Sequence, residues 1–323
     1  MALDCTMPTC PGRWLRTTLL LLGVFASSCS GRTSARTDAP TRVVVNGVEL
    51  HYIEAGQGDP VILLHGDESD YRAWAPQFLV LKPRHRVISY SRRYHFPNNN
   101  PISGTTHSAL VDAEDLAGLM AQLGLPSAHL VGTSYGAFTA LAFAIKHPEM
   151  VRSLVLAEPP VDQWVTGDAR GAALYQQFMS TVHEPAGQAF AKGDIEGAMR
   201  ILIDSFEGAG AFKKLPLENR TAIMANARFF QALTASSDPY PNLSRSDVRR
   251  LAMPILIVKG VETDELHRLV TEEVGRVLPH AQRVTIAWAG HASPRQNPDS
   301  FNYAMLEFLA SASKSDKTPA GVR

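Results

Sequence analysis

Five residues, Gly132-Thr133-Ser134-Tyr135-Gly136, constrain this chain more than any other stretch. They follow the short apolar run Ala128-His129-Leu130-Val131 and lead into Ala137-Phe138-Thr139-Ala140-Leu141-Ala142-Phe143-Ala144, which favours a helix. Strand, tight turn and helix in that order hold the serine in a strained conformation at the carboxyl edge of a sheet, where only glycines let neighbouring backbone pass so close. The product is an exposed hydroxyl that a base can activate. An ordinary glycine-rich turn is the plainer reading, and the flanking strand and helix argue against it.

The rest of the chain supplies a sheet for that turn. Arg42-Val43-Val44-Val45 and Val48–Ile53 flank Asn46-Gly47, the strongest short hairpin signal, so an antiparallel edge opens the sheet. Pro60-Val61-Ile62-Leu63-Leu64 has the unbroken apolar character of a buried parallel strand and ends at His65-Gly66. A helix is predicted over Tyr71–Leu81, a strand over Arg86–Tyr90 and a helix over Ser108–Leu123, in which Leu116, Leu119, Met120 and Leu123 repeat at helical spacing. Val151–Ala157 is the strand after the elbow helix, and Glu158-Pro159-Pro160 ends it. Strands at Pro254–Val258 and Arg283–Ile286 and helices at Glu265–Leu278 and Pro298–Leu309 complete the pattern. Alternation of this kind implies an α/β domain with a mainly parallel sheet covered on both faces.

Between residues 161 and 250 the alternation stops. Leu174, Phe178 and Val182 share a helical face, as do Ile195, Met199, Leu202 and Phe206, and Thr221–Leu233 forms one further helix. This helical insertion is expected to cap the carboxyl edge, where ligands of open α/β sheets bind. The core is then 42–160 with 251–310, the cap 161–250, and 311–323 a frayed polar tail.

With 323 residues and 45% hydrophobic content, one large domain with an insertion is affordable. Zero formal net charge, and no basic run with interleaved aromatics, argue against nucleic acid as a partner. A small molecule is the expected ligand, and the sequence specifies no oligomeric state. The three cysteines, Cys5, Cys10 and Cys29, all precede the first strand, and no histidine pair has metal-site spacing, so neither a metal nor a cofactor is expected.

Residues 1–29 have the layout of an export signal: Arg13 and Arg16, the apolar run Leu19–Ala26, then Ser27-Ser28-Cys29. The run is shorter than the roughly 20 residues a membrane span needs. Ala26-Ser27-Ser28-Cys29 resembles a bacterial lipoprotein cleavage box, with Ala26 where leucine is usual. Acylation of Cys29 and a cell-envelope location follow as expectations, with ordinary signal cleavage and a periplasmic or secreted protein as the alternative. Residues 30–41 are polar and form a tether.

A serine hydroxyl needs a base, and the base needs a third group to orient it. His291, in the loop Ala289-Gly290-His291-Ala292 after the last strand, is placed to be that base. Together with the element order, GTSYG and AGHA resemble the α/β-hydrolase superfamily over Arg42–Leu309, and within it capped serine hydrolases related to meta-cleavage-product hydrolases, esterases and cofactor-free haloperoxidases. The resemblance implies a Ser134 nucleophile, an oxyanion hole from the backbone N–H groups of Asp67 and Tyr135, and a structural role for His65. It implies hydrolysis of a small, largely apolar ester, thioester or amide through an acyl-enzyme. C–C bond hydrolysis and perhydrolysis are the alternatives on the same residues, and a non-catalytic binding module is the rival from another class. Two departures stand out. Asp67-Glu68-Ser69-Asp70 puts acids where many relatives carry glycines, and these are expected to face solvent or to pair at the surface with Arg92 and Arg93 rather than to bind substrate. The usual acid slot, three residues beyond Gly260, holds Thr263. Glu158, at the carboxyl edge beside Ser134, is therefore the expected triad acid, with Asp264 or Glu262 as alternatives; Asp264 also suits the N-cap of the next helix.

Overall fold

A computed structural model describes residues 39–315 of the chain; Cys29, the leader and most of the tether lie outside the described residues. Its eight strands form one sheet in the order β1-β2-β4-β3-β5-β6-β7-β8. The hairpin of β1 (Thr41–Val45) and β2 (Val48–Ala55) turns at Asn46 and Gly47, whose φ values of 50° and 76° are those of the type I′ turn that an Asn-Gly pair favours. β2 pairs antiparallel with β4 (Arg86–Ser91). From β4 onward, β3 (Pro60–Leu64), β5 (Ala128–Thr133), β6 (Val151–Ala157), β7 (Ile255–Gly260) and β8 (Gln282–Ile286) run parallel.

Apolar strands bury both faces of the sheet. Helices α1 (Ala75–Leu81), α2 (Ala109–Gln122) and α3 (Tyr135–Lys146) connect the first parallel strands. On one face Leu116, Leu119, Phe138 and Leu141 of α2 and α3 pack with Ile62, Leu130 and Leu154; on the other, Val61, Leu63, Val131 and Val155 form a second cluster. The buried centre of α3 fixes the serine turn at its head.

Between β6 and β7 the chain forms α4 (Ala169–Phe178), α5 (Glu184–Ala191), α6 (Ile195–Glu207), α7 (Ala211–Lys214), α8 (Leu217–Met224), α9 (Ala227–Thr234) and α10 (Arg245–Arg249). Two expectations fail here. Ile195 is 44% exposed, off the buried face its spacing predicted. The single helix expected over Thr221–Leu233 is two, broken at Asn226. Its side chain accepts from the Phe96 N–H (2.9 Å) and donates to Asp70 Oδ2 (3.0 Å), so the break ties this segment to the loops after β3 and β4.

After β7 come α11 (Glu265–Val277), α12 (Ser293–Gln296) and α13 (Pro298–Ser315). The tail expected to fray from Ser311 is helical to Ser315, because buried Ala312 continues the apolar face of Phe301, Met305, Phe308 and Leu309.

Candidate active site

Ser134 sits between β5 and α3 with φ 51° and ψ −127°, a conformation costly for a residue with a Cβ. Both flanking glycines are required by space. A Cβ on Gly132 would lie 2.6 Å from the Ala137 nitrogen, and one on Gly136 would lie 2.2 Å from the Leu64 carbonyl oxygen. The Ser134 N–H donates to Ala157 O (2.8 Å), tying the turn to the end of β6. The residue that follows β6 is Glu158, which also has positive φ (48°). Two adjacent parallel strands therefore end in strained corners that project a hydroxyl and a carboxylate.

His291 closes the gap between them. Its Nε2 lies 2.9 Å from Ser134 Oγ and its Nδ1 lies 2.7 Å from Glu158 Oε2. Glu158 is fully buried, and burial alone would push its pKa up; hydrogen bonding and charge from His291, with help from Thr263, leave it below the ordinary carboxylate value. The Gly260 N–H (2.8 Å) and the Thr263 hydroxyl (2.7 Å) complete its shell. The threonine in the usual acid slot thus donates to the carboxylate that stands beside His291. Such a line of groups can take a proton from the serine, hold the imidazolium that forms and return the proton to a leaving group.

Of the alternative acids, Asp264 caps α11 by accepting from the His267 N–H (3.1 Å), and its other oxygen bonds His267 Nδ1. Glu262 is exposed; its backbone N–H donates to Ala289 O (2.8 Å).

The loop after β3 is held from below. His65 is fully buried, and burial together with the neighbouring Arg92 lowers its pKa to about 3. The neutral ring donates from Nδ1 to Gly66 O (2.8 Å) and accepts the Arg92 N–H at Nε2 (3.1 Å). Arg92 Nη2 adds a second donor to the same carbonyl at 3.1 Å. With the Gly66 C=O turned toward these groups, the trans peptide aims the Asp67 N–H the opposite way. Tyr135 opens α3, so its N–H is one of the helix-terminal donors without an intrahelical acceptor.

Surface pairing of the acidic loop with Arg92 and Arg93 is overturned. Arg92 is 1% exposed and bonds Asp112 at 2.7 Å, with Asp67 at 3.8 Å; Arg93 bonds Asp115 instead. Asp70 pairs with Arg72 at 2.7 Å. Asp67 is buried, and desolvation raises its pKa to about 7.

Sequence reasoning passed over His267. Its ring lies 3.8 Å from that of His291, centroid to centroid. Burial draws its pKa down, but the hydrogen bond and charge of Asp264, followed by Asp162 and Glu158, carry it to about 9. A histidine three residues after an N-cap aspartate was the available signal.

Ser134 and His291 line a small pocket together with Asp67 and Glu68 after β3, His267 of α11, and residues from the chain between β6 and β7, including Phe178, Phe206 and Tyr240. Among curated proteins, the 2-hydroxy-6-oxononadienedioate/2-hydroxy-6-oxononatrienedioate hydrolase of Burkholderia vietnamiensis is 27% identical over 296 residues, covering 86% of this chain and 97% of its own. The fold is shared with an enol-lactonase from Burkholderia xenovorans (TM-score 0.68, 19% identity, covering 84% of this chain and 100% of that one). It is shared too with a thermophilic esterase from Thermogutta terrifontis (TM-score 0.66, 22% identity, 85% and 99%). The family described as alpha/beta hydrolase fold matches residues 59–298, from the edge of β3 to the start of α13, and the chain belongs to it.

Proposed function

We propose that the protein is a serine hydrolase that cleaves small carboxylic esters, or related thioesters and amides, through an acyl-enzyme on Ser134. The observation that carries this reading is the unbroken line from Ser134 Oγ through His291 to Glu158, at 2.9 and 2.7 Å. Ser134 Oγ attacks the carbonyl carbon as its proton passes to His291 Nε2. The tetrahedral oxyanion meets the N–H groups of Asp67 and Tyr135, donors of a kind that contribute about 3 to 4 kcal/mol each. His291 then protonates the leaving alkoxide, and the acyl group stays on Oγ. Water, deprotonated by the same nitrogen, releases the acid and restores the serine.

A second reading, C–C bond hydrolysis, is favoured by the B. vietnamiensis relative, whose dienedioate substrate carries two carboxylates. Against it, Asp67, Glu68, Asp162 and Glu207 line the hollow beside Ser134 and His291, and Arg295, which lines the adjoining hollow, is paired with Glu207. A panel of p-nitrophenyl esters of increasing chain length, run beside a 2-hydroxy-6-oxo-dienoate, separates the two. The expected result is turnover of the short esters and none of the dienoate; the reverse pattern would make C–C hydrolysis the function.

For location we propose an envelope lipoprotein acylated at Cys29, on the order of basic, apolar and small residues before it. Multiple acyl chains anchor stably where one is marginal. Cys29→Ser is expected to move the protein from the membrane fraction to the soluble one, and an unmodified N-terminus at another residue, found by mass spectrometry, would refute the anchor.

A further inference from the structure

Two carboxylates beside the proposed nucleophile each have a buried oxygen with no hydrogen bond. Asp162 stands in the turn that leaves β6, just beyond Glu158; it is 4% exposed, and its buried Oδ1 has no hydrogen-bond partner. Asp67, across the same pocket, is 6% exposed, and its Oδ1 makes no hydrogen bond, with Arg92 Nη2 3.8 Å away. Its nearest cation, Arg92, is already engaged by Asp112. A carboxylate oxygen removed from water without a hydrogen bond is costly, so two carboxylates that line one pocket in that condition point to a partner from outside the chain.

We propose that Asp162 and Asp67, with the rings of Tyr240, Phe178 and Phe206, form a subsite for an ammonium group, so that the protein's preferred esters carry a protonated or quaternary amine. The inference rests on the ester-hydrolase reading above for the reaction, and on the pocket alone for the recognition. Aromatic faces attract a desolvated cation, and a carboxylate supplies the opposite charge. Tyr240 lines the same pocket, and after burial both acids disfavour its ionisation.

The charges facing the subsite support the assignment. His267 and Asp264, at the start of α11, act on Asp162, and Asp162 in turn disfavours ionisation of Tyr175 on α4. Arg92, Glu68, Asp112 and His267 act on Asp67. His267 is cationic, but Asp264 holds it with both a side-chain and a backbone hydrogen bond, so its charge is matched within α11. Glu207 is matched by Arg295. Asp67, Asp162 and Glu68 are left in excess.

Burial raises Asp162 to about 6 and Asp67 to about 7. A bound cation favours their ionised forms, so its binding releases protons and strengthens as pH rises toward 7. A neutral ligand of the same shape has no such dependence.

The test compares butyrylcholine with its uncharged isostere 3,3-dimethylbutyl butyrate, on the purified full chain. The ratio of their kcat/KM values cancels the pH dependence of the shared chemistry. At pH 7.5 it is expected to favour the choline ester by about tenfold or more, equivalent to about 1.4 kcal/mol. It is expected to shrink toward one at pH 5.5, and toward one at pH 7.5 in Asp162→Asn. A wild-type ratio of one or below at pH 7.5 overturns the subsite, as does an undiminished ratio in a folded Asp162→Asn protein. Should that variant not fold, the pH course of the wild-type ratio decides. If neither ester is cleaved, calorimetric titration of Ser134→Ala with the same pair isolates recognition from chemistry. Preference for the choline ester there upholds the subsite while the hydrolase reading falls, and equal or absent binding overturns the subsite.

Discussion

Ser134→Ala is expected to abolish labelling by a fluorophosphonate and to lower turnover of a short ester by at least about a thousandfold, since nucleophile and base act as a unit. The reason is local. Ser134 Oγ is the atom 2.9 Å from His291 Nε2, in a turn that glycines at 132 and 136 allow to press against Leu64 and Ala137. Alanine keeps the Cβ and the positive φ, so the backbone and its donors stay in place while the attacking oxygen goes. Thermal stability should change little, and that separates lost chemistry from lost fold. Equal labelling of both proteins would show that Ser134 is not the nucleophile.

The second large effect is expected at Glu158. Glu158→Gln keeps the size and the acceptor but removes the charge, and an uncharged amide can pair with the wrong tautomer of the imidazole. A loss of turnover on the order of ten-thousandfold follows. Asp264→Asn, in contrast, weakens a helix cap and the partner of His267, with a stability cost of about 1 kcal/mol and a much smaller change in rate. Glu262→Gln alters an exposed side chain and should do less still. Near-normal turnover in Glu158→Gln, with Asp264→Asn or Glu262→Gln inactive, would move the acid to the loop after β7.

What could be read from the residues divides by the range of the interaction that decides them. The parallel strands were legible because burial on both faces leaves continuous apolar runs such as Pro60–Leu64 and Val151–Ala157. The elbow was legible because only glycine relieves the contacts at 132 and 136. That threonine fills the slot beyond Gly260 was also plain from spacing; that its hydroxyl donates to Glu158 was not, since the two are far apart in sequence and meet only in the folded sheet. Arg92 follows a strand and looked like a surface charge. Its burial depends on Asp112 from α2, on the Gly66 carbonyl and on the faces of Tyr135 and Phe229, none of which is a neighbour in the chain. Asn226 broke an apparently continuous helix for the same reason: its partners are Phe96 and Asp70. His267 was hidden by a correct local signal, because an aspartate before a helix is fully explained as a cap and draws no attention to the ring it also holds.

The two strained corners at Ser134 and Glu158 have a bearing on how this fold can diversify. The proposed nucleophile and the proposed acid stand at the ends of neighbouring strands, joined by one buried helix and both upstream of the helical segment that helps wall the pocket. In chain order, that segment interrupts only the path to His291. Its length and helix count can therefore drift, or be exchanged wholesale for another lineage's, while serine and carboxylate keep their spacing as a preassembled module and a single imidazole is left to find its register.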